Sequence, residues 1–268
     1  MVDKFEKPLS DYDRVLFKNA ALEMSLVQVR YPPVQRFSNE SYMVDIKEAL
    51  ANEYPLVGTE QGMNIVINFQ GVSQTPGASL LRFTSIDSRW SVVLSSDFVT
   101  LETREYTDID EFSARFASVL DIVDMYFHPR HRLRFGLRYI NEFRFPGGDN
   151  YATWRRLLNP ELLGLSANGA IGGDVEQTIG EVLFRRNNGH VLVRHGFLKG
   201  STVTPLVNHP TKTGEFYLLD LDYYDDMPVK FDAETPIKRM RSYNTFLYNV
   251  FRWSIGEGEL YQRLRGEP

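Results

Sequence analysis

The stretch TDIDEFSARFASVLDIVDMYFHPRHRLRFGLRYINEFRF, residues Thr107–Phe145, contains a helical pattern that is followed directly by a strand pattern. Apolar residues in its first half recur at spacings of three and four, the period of one face of an α-helix. Asp108, followed three residues later by Glu111, predicts a capping box at the helix start, and Pro129 prevents continuation. The second half alternates between apolar and polar residues, as a half-buried strand does. The stretch therefore predicts a helix that leads into a strand.

A second helical pattern lies near the end of the sequence. Thr235 is expected to cap this helix, Pro236 suits its first turn, and Gly256 supplies the stop. A stripe of apolar residues predicts that one face of the helix is buried. The stripe consists of Ile237, Met240, Tyr243, Leu247, Val250 and Phe251.

Most of the remaining sequence is typical of strands, because it alternates in polarity or is rich in β-branched and aromatic residues. The predicted strands are Asn64–Phe69, Ser79–Ile86, Arg89–Leu94, Phe98–Arg104, Arg132–Phe145, Gly180–Arg186, His190–Phe197 and Glu215–Tyr224. Turn residues predict hairpins at Asp87–Ser88 and at Asn187–Gly189. Helices do not alternate one for one with strands, which favours antiparallel pairing. We predict an α+β fold with mostly antiparallel sheets backed by two long amphipathic helices.

The two halves of the chain show a weak similarity that predicts two related sheet-plus-helix lobes. Three positions before the first long helix, Leu94, Asp97 and Phe98, resemble three before the second, Leu219, Asp222 and Tyr223. The predicted lobes are residues 1–162 and residues 175–268, joined through the Gly- and Asn-rich stretch Leu163–Asp174. One continuous domain is the alternative.

Composition narrows the function classes. The chain has 268 residues, 43% hydrophobic and 24% charged, as in globular proteins that bury a core. A net charge of −5 argues against coating nucleic acid through bulk charge. The absence of cysteine excludes disulfides, thiolate metal sites and cysteine nucleophiles, and it fits a reducing cytoplasm. No secretory signal and no membrane-spanning helix is expected, because no sufficiently long apolar run occurs.

Arginines dominate one side of the strand pattern after Pro129. Alternation predicts that Arg130, Arg132, Arg134 and Arg138 share one face. Guanidinium groups in a row suit phosphates or carboxylates, because each planar group can donate two parallel hydrogen bonds. We therefore predict a partner- or anion-binding surface that consists of Arg132, Arg134, Arg138, Tyr139 and Asn141. The alternative is that these arginines pair across the sheet with Asp220 and Asp222.

A second candidate site is the acidic run LDLDYYDD, residues Leu219–Asp226. Its carboxylates, Asp220 and Asp222 above all, are ligands of the kind that magnesium or calcium prefers, and His195 could serve as a base beside them. A strand that ends in a charged turn explains the run equally well. The glycine-rich NGAIGGD stretch lacks the GK[ST] ending of a phosphate loop. No cofactor is predicted.

The segment RFGLRYINEF, Arg134–Phe143, resembles the RxGLRYIN signature of a patchily distributed, functionally uncharacterised family of bacterial and archaeal proteins. LVQVRYPPV at Leu26–Val34, RWSVVLSSDFVTLETREY at Arg89–Tyr106 and LLDLDYY at Leu218–Tyr224 resemble further strands of that family. The family carries no activity, cofactor or catalytic residue over to this chain. Its patchy distribution implies, by association, an accessory or partner-binding role of the kind found in phage defence and toxin–antitoxin systems.

Our leading hypothesis is a non-catalytic, cytoplasmic interaction or regulatory protein. The arginine stripe and the lack of a complete catalytic motif motivate it. The expected partner is another protein or a second copy of the chain, and the stripe makes nucleic acid a further candidate. The alternative hypothesis is a metal-dependent hydrolase or nuclease that uses Asp220 and Asp222 on phosphate esters or nucleic acid.

Overall fold

The computed structural model describes residues 9–68, 71–167, 171–187, 189–200 and 212–266. Its strands are β1 (Leu22–Arg30), β2 (Leu56–Asn68), β3 (Gly71–Thr84), β4 (Trp90–Leu94), β5 (Phe98–Thr103), β6 (His131–Arg132), β7 (Arg134–Phe143), β8 (Gly180–Arg186), β9 (Gly189–Lys199), β10 (Glu215–Asp225) and β11 (Val229–Lys230). Its helices are α1 (Glu40–Ala51), α2 (Ile109–Phe127), α3 (Tyr151–Leu157), α4 (Pro160–Leu163), α5 (Glu234–Ile255) and α6 (Glu259–Arg265). The predicted α+β class is confirmed.

Nine of these strands form one antiparallel sheet in the order β2-β3-β4-β5-β1-β7-β10-β9-β8. The antiparallel pairing predicted from the sequence is therefore confirmed. Strands β6 and β11 form a separate two-stranded sheet. β7 lies near the middle of the large sheet, between β1 and β10. Both predicted hairpins are present, joining β3 to β4 and β8 to β9, with positive φ at Ser88 and Asn187.

One face of the large sheet packs on α2 and α5. Buried side chains of alternate strand positions, such as Leu137 and Leu221, join the core with Phe116 of α2 and Leu247 of α5. Tyr243 of α5 stacks on Tyr223 of β10 with ring centroids 3.8 Å apart. The intervening strand positions point to the other face, which we call the open face. Among these open-face positions is the pair Arg134 and Arg138.

Helix α2 begins as the sequence predicts. The carboxylate of Asp108 accepts hydrogen bonds from the backbone N–H groups of Asp110 and Glu111. The Glu111 side chain does not complete a capping box, because its carboxylate accepts a hydrogen bond from the hydroxyl of Thr107 at 2.6 Å. His128 ends the helix in the left-handed conformation, directly before Pro129.

The predicted cap of α5 is wrong. The helix begins at Glu234, so Thr235 lies inside its first turn and does not cap it. The backbone N–H of Thr235 instead donates to the Asp232 carboxylate at 2.6 Å. Aspartate serves as well as threonine here, since a side-chain oxygen is all that the exposed N–H groups of the first turn require.

The predicted strand Arg132–Phe145 is divided in the structure. Leu133 separates β6 from β7, and its backbone N–H donates to the carbonyl of Arg30 at 2.7 Å. Arg132 consequently belongs to the small sheet with β11, whereas Arg134 belongs to the large sheet. Phe69, at the end of another predicted strand, lies outside the described residues.

Both predicted lobes contribute to the same sheet. Residues 1–162 supply the strands from β2 to β7 in the sheet order, and residues 175–268 supply β10, β9 and β8. β7 and β10 pair from Phe143 opposite Tyr217 to Phe135 opposite Asp225. The boundary between the two lobes therefore lies inside one sheet, and the division into two related lobes stays a prediction.

None of the helices in the described part of the chain combines the length and apolarity needed to cross a lipid bilayer.

Candidate functional site

The open face of the sheet contains a groove of about 310 Å³. Five neighbouring strands and the adjoining β10 contribute one or more side chains each. The lining residues are Leu26, Gln28, Leu80, Arg82, Val93, Thr100, Glu102, Arg134, Gly136, Arg138 and Asp222. Strand register explains why residues so distant in sequence meet, because Arg82, Val93, Thr100, Gln28 and Gly136 lie directly opposite one another along one row. We call this cavity the arginine-lined groove.

Arg134 lies flat against the floor of the arginine-lined groove. Its Nη2 donates to Asp222 at 2.8 Å, and its guanidinium stacks 4.2 Å from the ring centre of Tyr224. Gly136 makes this position accessible, since a Cβ there would lie 2.9 Å from Nη1 of Arg134 and 3.2 Å from Cβ of Tyr224. A glycine inside a central strand weakens the strand, and here it allows the arginine to lie across the backbone.

Arg138 forms a two-pronged charge contact in the groove. Its Nε and Nη2 donate to the two carboxylate oxygens of Asp220 at 2.7 and 2.6 Å. Arg194 approaches the same carboxylate at 3.5 Å. Asp220 is only 1% exposed, so two arginines neutralise a buried negative charge. Burial lowers the pKa of Arg138, but the Asp220 charge and hydrogen bonds outweigh it and raise that pKa above its ordinary value.

Asp222 is the carboxylate of the groove whose pKa differs from its ordinary value. Burial raises the pKa of Asp222 above its ordinary value, against the lowering effects of Arg134 and Arg138. The predicted pairing of the arginine stripe with Asp220 and Asp222 is therefore present, as Arg134 with Asp222 and Arg138 with Asp220. The carboxylates hold both guanidinium groups in fixed orientations.

Arg82 faces these arginines from the other side of the groove. Its Nε donates to Glu60 at 2.7 Å, and its Nη1 is bonded to Glu102. Burial lowers the pKa of Arg82, but Glu102 and Glu60 together raise it above its ordinary value. Three oriented guanidinium groups and two carboxylates, Glu102 and Asp222, thus line one cavity.

Arg132 does not belong to this groove. Its side chain is buried, and its Nη2 donates to Asp225 at 3.1 Å. Arg239 of α5 contacts the other oxygen of Asp225 at 2.7 Å, so the three residues form a cluster around the buried Asp225, apart from the open face. Burial lowers the pKa of Arg132. The predicted single stripe is thus wrong at Arg132, because the strand is interrupted at Leu133.

Tyr139 and Asn141 point to the helix-covered face. The hydroxyl of Tyr139 accepts a hydrogen bond from Asn244 of α5 at 2.8 Å and lies 3.4 Å from the hydroxyl of Tyr106. Burial raises the pKa of Tyr139 well above its ordinary value. Asn141 is buried as well, and its amide donates to the carbonyl of Leu219 at 3.1 Å. The structure therefore separates these two residues from Arg134 and Arg138.

The residues of the alternative metal site are also separated. Asp220 and Asp222 project to the open face, where arginines contact both. His195 lies opposite Leu219 in the register and projects to the helix-covered face, 2.8 Å from the hydroxyl of Tyr217. Burial lowers the pKa of His195. Within the described ranges, no three aspartate, glutamate or histidine side chains are grouped so that they could hold a metal ion.

The part of the groove that β1, β3 and β5 supply could not be predicted from the sequence. Gln28, Arg82 and the pair Thr100 and Glu102 come from three separate stretches of the chain and share no motif. Alternation around Arg82 would have placed it on the polar side of its strand. Only the sheet order, in which β4, β5 and β1 lie between β3 and β7, places that side in the same groove as β7.

The search of protein-family models and the search of curated proteins found nothing that matches this chain. The resemblance of RFGLRYINEF to a patchily distributed family therefore stays a prediction.

Proposed function

We propose that this protein is a non-catalytic interaction protein that binds its partner through the arginine-lined groove. The observation that carries the proposal is the trio of guanidinium groups, from Arg82, Arg134 and Arg138, held in place by carboxylates around one cavity. Preorganised side chains lose little freedom on binding, so such a cavity recognises a charged group at low entropic cost.

The charge of the groove indicates the chemistry of the partner. Three arginines and two carboxylates line it, and each of the three guanidinium groups is already paired with at least one carboxylate, Arg138 with Asp220 and Arg82 with Glu60 among them. Arg138 uses Nε and Nη2 for Asp220, so its Nη1 edge is directed away from that carboxylate. A carboxylate or phosphate group of a partner can accept hydrogen bonds from such an edge. The best fit is an anionic group carried on a partner protein.

The proposed cellular role is that of an accessory protein in the cytoplasm. The absence of cysteine supports a reducing compartment. The family resemblance supports, by association, a mobile defence or toxin–antitoxin type of system. The two related lobes inferred from the sequence would then present the groove at the centre of their shared sheet.

The test changes the charge of the groove without breaking its ion pairs. Gln28 lies in the middle of the lining and donates only to Thr100, at 3.0 Å, among the contacts of the described residues. The tagged protein and its Gln28→Glu and Gln28→Lys variants are used for affinity capture from their own host, with mass spectrometry of captured protein and nucleic acid. Gln28→Glu should weaken capture of an anionic partner, and Gln28→Lys should retain or strengthen it.

Matched controls carry the same charges on the exposed side of α2, as Ser118→Glu and Ser118→Lys. These variants should capture the partner as the unchanged protein does, and all variants should melt at similar temperatures. If every captured molecule binds equally well to both Gln28 variants, the proposal is wrong.

A further inference from the structure

Strand β8 is an exposed edge strand of the large sheet. In the described part of the chain it pairs with β9 on one side and has no strand on the other. Three consecutive apolar side chains lie exposed on it, Val182, Leu183 and Phe184, at 46%, 54% and 53%. Exposed apolar side chains on a sheet edge with unpaired backbone groups are typical of a surface that pairs with another strand.

The outward backbone groups of β8 follow from its hairpin. Arg186 and Gly189 close a connection of two residues, and the closing pair of such a hairpin exchanges both backbone hydrogen bonds. Alternation then directs the backbone groups of Arg186, Phe184 and Val182 toward β9. The N–H and C=O groups of Glu181, Leu183 and Arg185 point away from β9, to the open side.

The sequence of β8, GEVLFRR, is complementary to itself in antiparallel orientation. When Leu183 lies opposite its own copy, Glu181 lies opposite Arg185 of the second copy, and Val182 lies opposite Phe184 of the second copy. Opposite charges and apolar side chains are thus matched from Glu181 to Arg185, and such cross-strand pairs stabilise a sheet. Leu183 with its own copy and Glu181 with Arg185 of the second copy would be the hydrogen-bonded pairs, because these are the residues whose backbone groups point outward.

The other edge strand of the large sheet, β2, does not pair regularly along its whole length. β2 pairs with β3 through a register shift between Gln61 and Met63, a bulge of the kind that discourages edge pairing. β8 pairs with β9 without a register shift, from Gly180 opposite His195 to Arg186 opposite Gly189. Of the two edges, β8 alone presents a straight row of backbone groups.

We propose that β8 is the interface with a second copy of this chain, which pairs antiparallel to it about a two-fold axis through Leu183 and continues the sheet across the dimer. Glu181 already accepts a hydrogen bond from Arg194 on β9 at 2.6 Å, and its carboxylate, which is 58% exposed, is the group that would also face Arg185 of a second copy. This charge complementarity selects a second copy rather than an unrelated strand. An interface of this type uses the same residues on both copies and closes at two subunits. It uses none of the residues that line the arginine-lined groove.

Cysteine cross-linking tests the register. The chain contains no cysteine, so each variant carries a single thiol. In Leu183→Cys the two thiols face each other across a hydrogen-bonded pair with Cα atoms about 5.5 Å apart, within the range that a disulfide spans. Mild oxidation should link this variant into covalent dimers. Val182→Cys is the matched control, because it is similarly exposed but lies opposite Phe184 of the second copy.

Charge reversal tests the complementarity in solution. Glu181→Arg places arginine opposite Arg185 of the second copy and also opposite Arg194 of its own chain, whereas Arg185→Glu places glutamate opposite Glu181 of the second copy. Each variant should dimerise about tenfold more weakly than the unchanged protein. Mixing the two variants restores both opposite-charge pairs, so a heterodimer should form in the mixture. Differential tags and native mass spectrometry identify it. This recovery excludes misfolding as the cause of weakening, since a misfolded chain would not recover on mixing.

Three results would overturn the proposal. The first is a monomer at every concentration tested by light scattering, with no preferential cross-linking of Leu183→Cys. The second is equal cross-linking of Val182→Cys, which requires another register. The third is assembly that grows beyond two subunits, which indicates pairing of β8 with a different edge.

Discussion

Arg138 donates two hydrogen bonds, at 2.7 and 2.6 Å, to the carboxylate of Asp220 on the neighbouring strand. The two residues are separated by 82 positions in the chain. Strand pairing places them diagonally, since Asp220 lies opposite Ile140 and Arg138 lies opposite Asp222. The contact therefore joins the two sequence halves at the centre of the sheet and holds one side of the arginine-lined groove.

Replacement of Arg138 by methionine should destabilise the fold strongly. Asp220 is 1% exposed and would keep only the longer contact to Arg194. Removing one partner of a buried pair costs about 3 kcal/mol in free energy of unfolding. Urea denaturation measures this cost. As a control, Arg30→Met breaks the exposed pair with Asp97 and should cost less than about 1 kcal/mol. Equal costs for both variants would contradict the buried character of the Asp220 contact.

Asn244 should be a structural residue that fixes α5 to the sheet. Its amide donates to Tyr139 and Tyr106, and its carbonyl oxygen accepts from Arg14 at 2.7 Å. Asn244→Leu removes the amide donor to both hydroxyls and one acceptor of Arg14, and it should lower the free energy of unfolding by about 2 kcal/mol. Adding Tyr139→Phe removes one of the two hydroxyls that lost this donor. The double variant should therefore be more stable than Asn244→Leu alone in thermal melts, and a less stable double variant would refute this account.

Local patterns predicted much of the fold. Helix α2 and its cap at Asp108 could be predicted because periodicity and capping depend on residues within one turn of each other. The antiparallel class followed from strand alternation and turn residues. The cap of α5 was wrong because Asp232 and Thr235 offer equivalent oxygens, and sequence alone does not show which one reaches the helix N-terminus.

The candidate site was predicted only in part, for a different reason. Alternation gives the face of each residue but not its neighbours on other strands. It placed Arg134 and Arg138 together correctly, and it failed at Arg132 because the chain leaves the sheet at Leu133. Arg82 and Glu102 could not be joined to them without the order of strands. Contacts of this kind depend on the complete sheet.

The partly buried His195 on the helix-covered face should make the protein sensitive to acid. Burial lowers the pKa of His195 below its ordinary value of 6.5. The unfolded chain therefore binds a proton more readily than the folded chain. His195 consequently contributes stability above pH 6.5 that is lost as pH falls below this value toward the folded-state pKa. Melting temperatures measured across this window should fall on acidification. His195→Asn should remove the fall in melting temperature over this pH range. Tyr217→Phe should leave that fall in place, because burial, and not the contact with the Tyr217 hydroxyl, lowers the pKa of His195. A profile unchanged by His195→Asn would contradict the assignment.

The cap of α2 should contribute measurably to stability. Asp108→Ala removes the acceptor for two backbone N–H groups and should cost about 1 kcal/mol in free energy of unfolding. Thr107→Val removes only the exposed hydroxyl contact to Glu111 and should cost less than about 0.5 kcal/mol. Chemical denaturation of both variants provides the comparison. A larger effect of Thr107→Val would show that the Thr107 contact, rather than Asp108, holds the helix start.

Divalent cations should not stabilise this protein, which separates the interaction hypothesis from the metal-dependent alternative. Both oxygens of Asp220 already accept hydrogen bonds from Arg138, and Asp222 accepts a hydrogen bond from Arg134. A cation at this position must displace guanidinium groups and would lie beside three positive side chains, including Arg194. An ion that binds only the folded state raises the melting temperature. Melting temperatures with magnesium, manganese or calcium should therefore equal those with a chelator. A rise that disappears in Asp222→Asn would instead support a metal site at these carboxylates and make hydrolase activity the next measurement.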